Sequence, residues 1–250
     1  MKKSEGSVQV YKFAGRAVRI GTIHNAVASL CEDYRVFTSG IDFEINTSQA
    51  DIDFEREKTA RENELEGIPI HNFSDGYLET LAVYRKIAER MPEYDTILFH
   101  GSCVAVDGVG YLFTAKSGTG KSTHTRLWRE LLGERAIMVN DDKPLLRITD
   151  EGAVAYGTPW DGKHRLSRNV AVPLKAICIL ERAKENTIRP ITGREAYPML
   201  LQQTYRPRDG RALCKTLTLI DKLTASVGFW RLCCNTETVA AQVAFEAMKG

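Results

Sequence analysis

The chain lacks a long apolar run and an excess of either charge. No stretch of its 250 residues approaches the roughly 18 uninterrupted apolar residues that a membrane span needs, so we expect no spanning helix. With 34 basic and 32 acidic residues, the formal net charge is +2, which gives no global field to attract nucleic acid or a membrane surface. We therefore expect neither nucleic acid nor membrane as a partner.

Cysteine motifs and a targeting segment are also missing. The six cysteines are scattered without a CxxC pair, so we expect structural thiols and not metal ligands. Cys103 and Cys178 lie in apolar runs typical of buried strands, where cysteine behaves as a small hydrophobic residue. The start of the chain has two lysines with no apolar segment behind them, unlike a secretory signal. We expect a cytoplasmic protein.

Local patterns predict an α/β protein built on a mixed sheet. Asp107-Gly108 joins two apolar runs in the manner of a β-hairpin, and residues 41–66 are acidic and poor in apolar runs, typical of a peripheral segment. Because several strands pair by hairpins, a mixed sheet is favoured over a doubly wound parallel one. Further strands are predicted at 136–140, 175–181 and 228–233, a second hairpin at 144–158, and helices at 75–91, 119–132, 194–204, 213–226 and 236–248.

This pattern suggests two parts of the chain. Residues 1–95 are predicted to form an N-terminal α+β segment packed on a core of residues 96–250, which carries the chemical motifs and the C-terminal helices.

Residues 115–122, with the sequence Ala-Lys-Ser-Gly-Thr-Gly-Lys-Ser, carry the strongest chemical signal. They match the phosphate-loop pattern known as Walker A, except that Ala115 stands where the first glycine is usual. The exception weakens the match only if that position requires a positive φ. An apolar strand precedes the motif and an amphipathic helix follows it, so a chance Gly-rich turn is a much weaker explanation.

The residue types in this loop suit nucleotide phosphates. Gly118 and Gly120 let backbone N–H groups turn toward phosphate oxygens, and the helix behind adds its positive N-terminal end. Lys121 is suited to the outer phosphates and the Ser122 hydroxyl to magnesium. We therefore predict that ATP with Mg²⁺ binds to Ser117, Gly118, Thr119, Gly120, Lys121, Ser122 and Thr123.

An acidic pair follows the apolar strand 136–140. Asp141 and Asp142 can divide two tasks, one binding the metal and the other accepting a proton from an attacking hydroxyl. The alternative, a solvated turn, would be favoured if the phosphate loop did not precede it. His100 interrupts another apolar run, where a lone histidine is usually a satisfied core residue.

Two polar loops and one further histidine are weaker candidates. Residues 158–169 combine Gly, Pro, an aromatic residue and several cations, which suits a lid over phosphates or simply an exposed loop. The arginines of residues 205–211 suit a nucleotide contact or plain exposure. His124, on the first turn after the loop, is expected to be solvated near the phosphates.

The order of these motifs resembles the HPr kinase/phosphorylase group, and more loosely the nucleotide-binding part of phosphoenolpyruvate carboxykinases. The resemblance covers about residues 97–145: His100-Gly101, an Asp-Gly hairpin turn, Ser117 to Ser122, and a strand ending in Asp141-Asp142. Residues 158–181 resemble small HPr-kinase-related proteins encoded with peptide-modification pathways. The later HPr kinase signature, with a further glutamate and arginine, is not recognisable here.

The resemblance implies a P-loop kinase core with β-hairpins and flanking helices, and it implies roles for three residues. Asp141 is the base on the acceptor, Asp142 helps to bind magnesium, and His100 lies beside the pair and tunes its proton affinity. Together with Lys121, His100 and Asp141 are the predicted catalytic residues, and Ser122 and Asp142 are the predicted metal ligands. Related kinases are often hexameric, so a homo-oligomer is one expectation.

The leading hypothesis is an ATP- and Mg²⁺-dependent kinase acting on a hydroxyl, most often a serine of a peptide or protein. A kinase of a small hydroxyl metabolite is the second choice. A nucleotide-binding regulator without phosphoryl transfer is the alternative from another class, and a simple ATPase or phosphatase is a third. An acceptor base is of no use to a regulator, so Asp141 beside His100 favours the enzyme.

Overall fold

In the computed structural model, which describes residues 6–67, 69 and 72–250, the contacts within the chain divide it into Met1–Ala88 and Glu89–Gly250. The predicted boundary between residues 95 and 96 stays a prediction. Residues 1–5, part of the segment judged unlike a secretory signal, lie outside the described residues.

The first unit contains a three-stranded sheet in the order β1-β2-β3. Strands β1 (Val8–Phe13) and β2 (Arg16–Gly21) form an antiparallel hairpin, and β3 (Phe43–Asn46) pairs parallel to β2. Ala14 and Gly15 have φ of 47° and 79°, the positive values that a tight two-residue hairpin turn needs. The helices of this part are α1 (Ala26–Leu30), α2 (Gln49–Glu66) and the greater part of α3 (Asp75–Arg90).

The acidic segment at 41–66 contains two regular elements that its sequence pattern did not predict. Phe43 and Ile45 are buried on alternate positions of β3, and Ile52 on α2 is fully buried. Helix α2 begins with a capping box, in which Ser48 and Asp51 satisfy each other's backbone N–H groups. The segment lies at the edge of the three-stranded sheet, and two buried residues, Ile52 and Glu55, together with the capping box stabilise its polar helix.

The second unit is built on a nine-stranded mixed sheet. Seven strands follow the order β4-β8-β9-β10-β6-β5-β7, and β12 pairs parallel with β10 and antiparallel with β11. The strands are β4 (Thr96–Leu98), β5 (Ser102–Val106), β6 (Val109–Thr114), β7 (Ala136–Asn140), β8 (Leu145–Thr149), β9 (Gly152–Tyr156), β10 (Ala171–Arg182), β11 (Thr187–Ile191) and β12 (Gly228–Cys234).

Helices cover both faces of this sheet. On one face α4 (Lys121–Leu132) and α7 (Thr238–Met248) share a core with β10, and on the other α5 (Gly193–Gln203) and α6 (Gly210–Ser226) do so. Strand β10 serves both cores because its side chains alternate: Ile177 and Ile179 face one, Cys178 and Leu180 the other. The predicted mixed α/β architecture is confirmed.

Among the described residues, no helix has the length and apolar character needed to cross a membrane.

Candidate functional site

The loop between β6 and α4 has the backbone conformation that its glycines suggest. Gly118 and Gly120 have φ of 72° and 119°, in the region that favours glycine. A Cβ atom on Gly118 would meet nothing within 4 Å, so the backbone angle, and not a lack of space, requires glycine there. Ala115 is fully buried and is not among the described residues with positive φ, so alanine is compatible with its position.

Arg182, at the end of β10, contacts this loop. Its guanidinium donates hydrogen bonds to the carbonyl oxygens of Gly118 and Thr119, the latter at 3.2 Å. With these carbonyls occupied by a cation, the loop can present its N–H groups to an anion. The sequence pattern gave no signal for Arg182, because its contact with the loop spans more than 60 residues.

Lys121 is the first residue of α4 and is half-buried. Burial lowers the pKa of its ammonium group, while the charges of Asp142 and Asp141 act in the opposite direction. The cation and the two carboxylates line the same cavity. A cation held near paired carboxylates at a helix N-terminus is suited to a polyanion bridged by a metal.

Asp142 pairs with His100. The His100 Nε2 atom lies 3.2 Å from Asp142 Oδ1, and the Lys143 ammonium lies 3.2 Å from Oδ2. Burial alone would raise the pKa of the Asp142 carboxyl, but the hydrogen bond from His100 and the charge of Lys143 lower it to about 2. His100 is therefore no satisfied core residue, and Asp142 is ionised at neutral pH.

Asp141 is connected instead to α4, through a chain of two hydroxyl groups. It is 5% exposed, and its Oδ1 accepts a hydrogen bond of 2.7 Å from the Ser102 hydroxyl on β5. The Ser102 oxygen in turn lies 2.9 Å from the hydroxyl oxygen of Thr125, on α4. Ser102 has one proton, which goes to the carboxylate, so Thr125 donates to Ser102. This buried chain fixes Asp141 relative to the helix that begins with Lys121.

Asn140, the last residue of β7, connects the acidic pair to the segment after β9. Its Oδ1 accepts from the backbone N–H groups of Asp142 at 2.9 Å and Lys143 at 2.6 Å. Its Nδ2 donates to the carbonyl and hydroxyl oxygens of Thr158, at 3.1 and 2.9 Å. Asn140 and Thr158 are fully buried. The Asn140 amide therefore fixes both the backbone turn at Asp142 and Lys143 and the start of the segment 158–169.

These elements enclose a cavity of about 520 Å³. Its walls include His100, the two carboxylates, Gly118 and residues 120–123 of the loop and helix, and residues 161–164. Gly162 lies so close to the base candidate that a Cβ atom there would be 2.8 Å from Asp141 Oδ2. The residues predicted as catalytic, His100, Lys121 and Asp141, and as metal ligands, Ser122 and Asp142, thus line one cavity.

The remaining predicted residues have different positions. Ser117 is exposed and lines neither this cavity nor a smaller one described below, whereas Thr119 lines the smaller one. The arginines of residues 205–211 line neither. His124 is 2% exposed, and burial lowers its pKa to about 4, so the expectation of a solvated histidine is wrong. The His124 ring packs against Phe113 of β6 and accepts a hydrogen bond from Trp128, one turn later on the same helix.

Ser102, Thr125 and Asn140 were missed by sequence reasoning. Ser102 is the one residue with a hydroxyl inside the apolar run of β5, and Asn140 ends an otherwise apolar strand next to the acidic pair. Such interruptions were the available signal. Ser102 is 39 residues from Asp141 and 23 from Thr125, and Asn140 is 18 from Thr158, separations that no spacing rule covers.

Comparison with known proteins gives one family match. The sequence profile described as "ScmC: SynChlorMet cassette protein ScmC" matches residues 70–207, more than half of the chain. Among solved structures, the Hpr(Ser) kinase/phosphatase from Coxiella burnetii is similar with a TM-score of 0.34 and 11% identity, over 61% of this chain and 99% of that one. A similarity at that level carries no argument about activity. No curated protein matches the chain.

Proposed function

The chain belongs to the ScmC family of SynChlorMet cassette proteins, and from the geometry of its site we propose that it is an ATP- and Mg²⁺-dependent kinase. The β6–α4 loop acts as the phosphate loop, and the acceptor is a hydroxyl group, foremost a serine of a peptide or protein. The family name places the protein in a cassette, so peptides encoded in the same cassette are the first acceptors to test.

The observation that carries the proposal is the separate tethering of the two carboxylates. Asp142 is ionised and paired with His100, whereas Asp141 accepts from Ser102 through one oxygen and has its second oxygen near Gly162. A protein that only binds nucleotide needs a carboxylate for the metal but has no use for a second one held for proton transfer. The separate roles of the two carboxylates therefore favour phosphoryl transfer over nucleotide binding alone.

In the proposed step, Asp141 accepts the proton of the acceptor hydroxyl. The hydroxyl oxygen then forms a bond to the γ-phosphorus of ATP while the bond from that phosphorus to the β–γ bridging oxygen breaks, and ADP leaves with that electron pair. Lys121 and the N-terminal end of α4 offset the negative charge on the phosphoryl oxygens. Positioning and electrostatics supply most of the rate in reactions of this type.

The donor set fits magnesium. Mg²⁺ prefers oxygen ligands and is usually held by one or two carboxylates together with substrate phosphates. The Ser122 hydroxyl and the ionised Asp142 carboxylate line the same cavity and would hold it. When bound, the ion would neutralise charge on the phosphates.

The test is incubation of the purified protein with γ-labelled ATP and Mg²⁺, together with a pool of serine peptides that includes cassette-encoded ones and, separately, a low-molecular-mass cell extract. We expect label on a peptide serine, and no label with Lys121→Ala, because that variant loses the cation that binds the outer phosphates. The surface variant Lys249→Ala, outside the cavity, is the matched control and should retain transfer.

Three other outcomes would change the proposal. Label on a small hydroxyl compound would keep the kinase and replace the acceptor class. ATP binding with no transfer to any acceptor would favour a nucleotide-dependent regulator. Release of free phosphate alone would identify water as the acceptor.

A further inference from the structure

A second cavity, of about 310 Å³, meets the first at the phosphate-loop side but does not reach the acidic pair. The two share Gly120 and Thr123, and neither Asp141 nor Asp142 lines the smaller one. The loop therefore has two cavities along it, and only the larger one contains Asp141, the proposed catalytic base. An acceptor hydroxyl must lie beside the base, so the smaller cavity is left for another part of the bound molecules.

The lining of the smaller cavity suits a flat apolar ring. Leu127 of α4, Leu180 of β10 and Ala183 just after β10 contribute aliphatic surface, and Asn235 and Thr236, after β12, contribute polar groups. Small-molecule sites are lined mainly by apolar side chains, with a few polar groups that fix orientation. A nucleobase has that character, with two apolar faces and a polar edge.

His124 also lines this cavity, and its ring carries an unused hydrogen-bond donor. Its Nε2 accepts from the indole N–H of Trp128 at 3.1 Å, and this bond assigns the ring proton to Nδ1. Within the described part of the chain, the buried Nδ1 atom has no hydrogen-bond partner. A buried donor left without a partner is destabilising, so a ligand acceptor that reaches it would be favoured.

We propose that the smaller cavity binds the nucleobase of the triphosphate, with the ring between Leu127, Leu180 and Ala183 and an acceptor atom of the base on the His124 Nδ1–H. This inference rests on the proposed function, because that function places the γ-phosphoryl beside Asp141. The base end of the nucleotide then extends away from Asp141, past Gly120 and Thr123, into the smaller cavity. The site makes ATP a better ligand than its triphosphate alone.

The test compares ATP with inorganic tripolyphosphate, both with Mg²⁺, by titration calorimetry. Ala183→Trp should fill the smaller cavity and weaken ATP binding about tenfold or more, while tripolyphosphate binding changes less than about twofold. Ala225→Trp is the matched control, because Ala225 lines a different cavity beside α6 and should leave both affinities unchanged. Lys121→Ala should weaken both ligands.

A second measurement uses the unmodified protein. In ¹H–¹⁵N spectra of the histidine rings, the Nδ1–H signal of His124 should shift when ATP binds and stay in place with tripolyphosphate. The nucleobase site would be overturned if Ala183→Trp changed the affinities for both ligands equally, or left the affinity for ATP unchanged. The proposed function would still stand in that case if Lys121→Ala weakened the binding of both ligands. Failure of the unmodified protein to bind either ligand would overturn both.

Discussion

Replacing Asn140 by alanine tests whether one buried amide organises the site. The amide makes two hydrogen bonds to backbone N–H groups of Asp142 and Lys143, and two to Thr158, all between 2.6 and 3.1 Å. At about 1 kcal/mol net for each bond, the free energy of unfolding should fall by about 4 kcal/mol. Domains are typically stable by about 5–15 kcal/mol, so the variant should fold with a much lower denaturation midpoint.

The assay is urea unfolding followed by tryptophan fluorescence. All three tryptophans, Trp128, Trp160 and Trp230, lie in the Glu89–Gly250 unit, so the signal reports the unit that contains the site. The matched control is Thr216→Val on α6, which removes one buried hydrogen bond, to the Ala212 carbonyl at 2.8 Å. It should cost about 1 kcal/mol and leave phosphoryl transfer unchanged.

We also expect Asn140→Ala to slow transfer, because the backbone of Asp142 loses the acceptor that fixes its turn. ATP binding should weaken less, since the β6–α4 loop, which we propose binds the phosphates, is held separately by Arg182. A variant that unfolds within about 1 kcal/mol of the unmodified protein would refute the reasoning, because four buried bonds cannot be lost at so small a cost.

Three further changes probe the carboxylates. His100→Ala should raise the pKa of Asp142 from about 2 toward its ordinary 3.8, which carboxyl NMR would follow. The lowered pKa stabilises the folded protein above about pH 4, and this stabilisation is lost as the pH falls toward 2. Acid unfolding should therefore begin at higher pH in the variant. Ser102→Ala should slow transfer about tenfold with ATP affinity nearly unchanged, since it frees Asp141 without removing it; an equal loss of affinity would contradict this. Gly162→Ala places a Cβ atom 2.8 Å from Asp141 Oδ2 and should reduce phosphoryl transfer, while calorimetry shows unchanged ATP binding. Full transfer would show that the segment 158–169 moves aside without cost.

Elements encoded by nearby residues could be predicted from the sequence. Asp107 and Gly108 have φ of 52° and 83°, as the predicted Asp-Gly turn requires, and β5 and β6 pair across it. Helix α4 was predicted two residues too long at its start, because the glycine loop extends to Gly120. The order of the strands was not predictable, since β10 pairs with β9, β6 and β12, and such pairings depend on contacts distant in sequence.

The site divides in the same way. The glycines, Lys121 and Ser122 follow from a local motif, and the acidic pair from the strand before it. The pairing of His100 with Asp142 was implied only by the family resemblance, and its geometry comes from three-dimensional structure. The hydroxyl chain from Asp141 through Ser102 to Thr125 could not be predicted from spacing, because it joins three elements that meet only in the folded structure.

The most direct test of the kinase proposal is Asp141→Asn, with ATP affinity and phosphoryl transfer measured on the same preparation. Asparagine keeps the shape of the side chain and an acceptor for Ser102, but it cannot take the proton of the acceptor hydroxyl. We predict that ATP binds nearly as it does to the unmodified protein while transfer collapses by about a hundredfold or more. Full transfer by Asp141→Asn would contradict the assignment of Asp141 as the base.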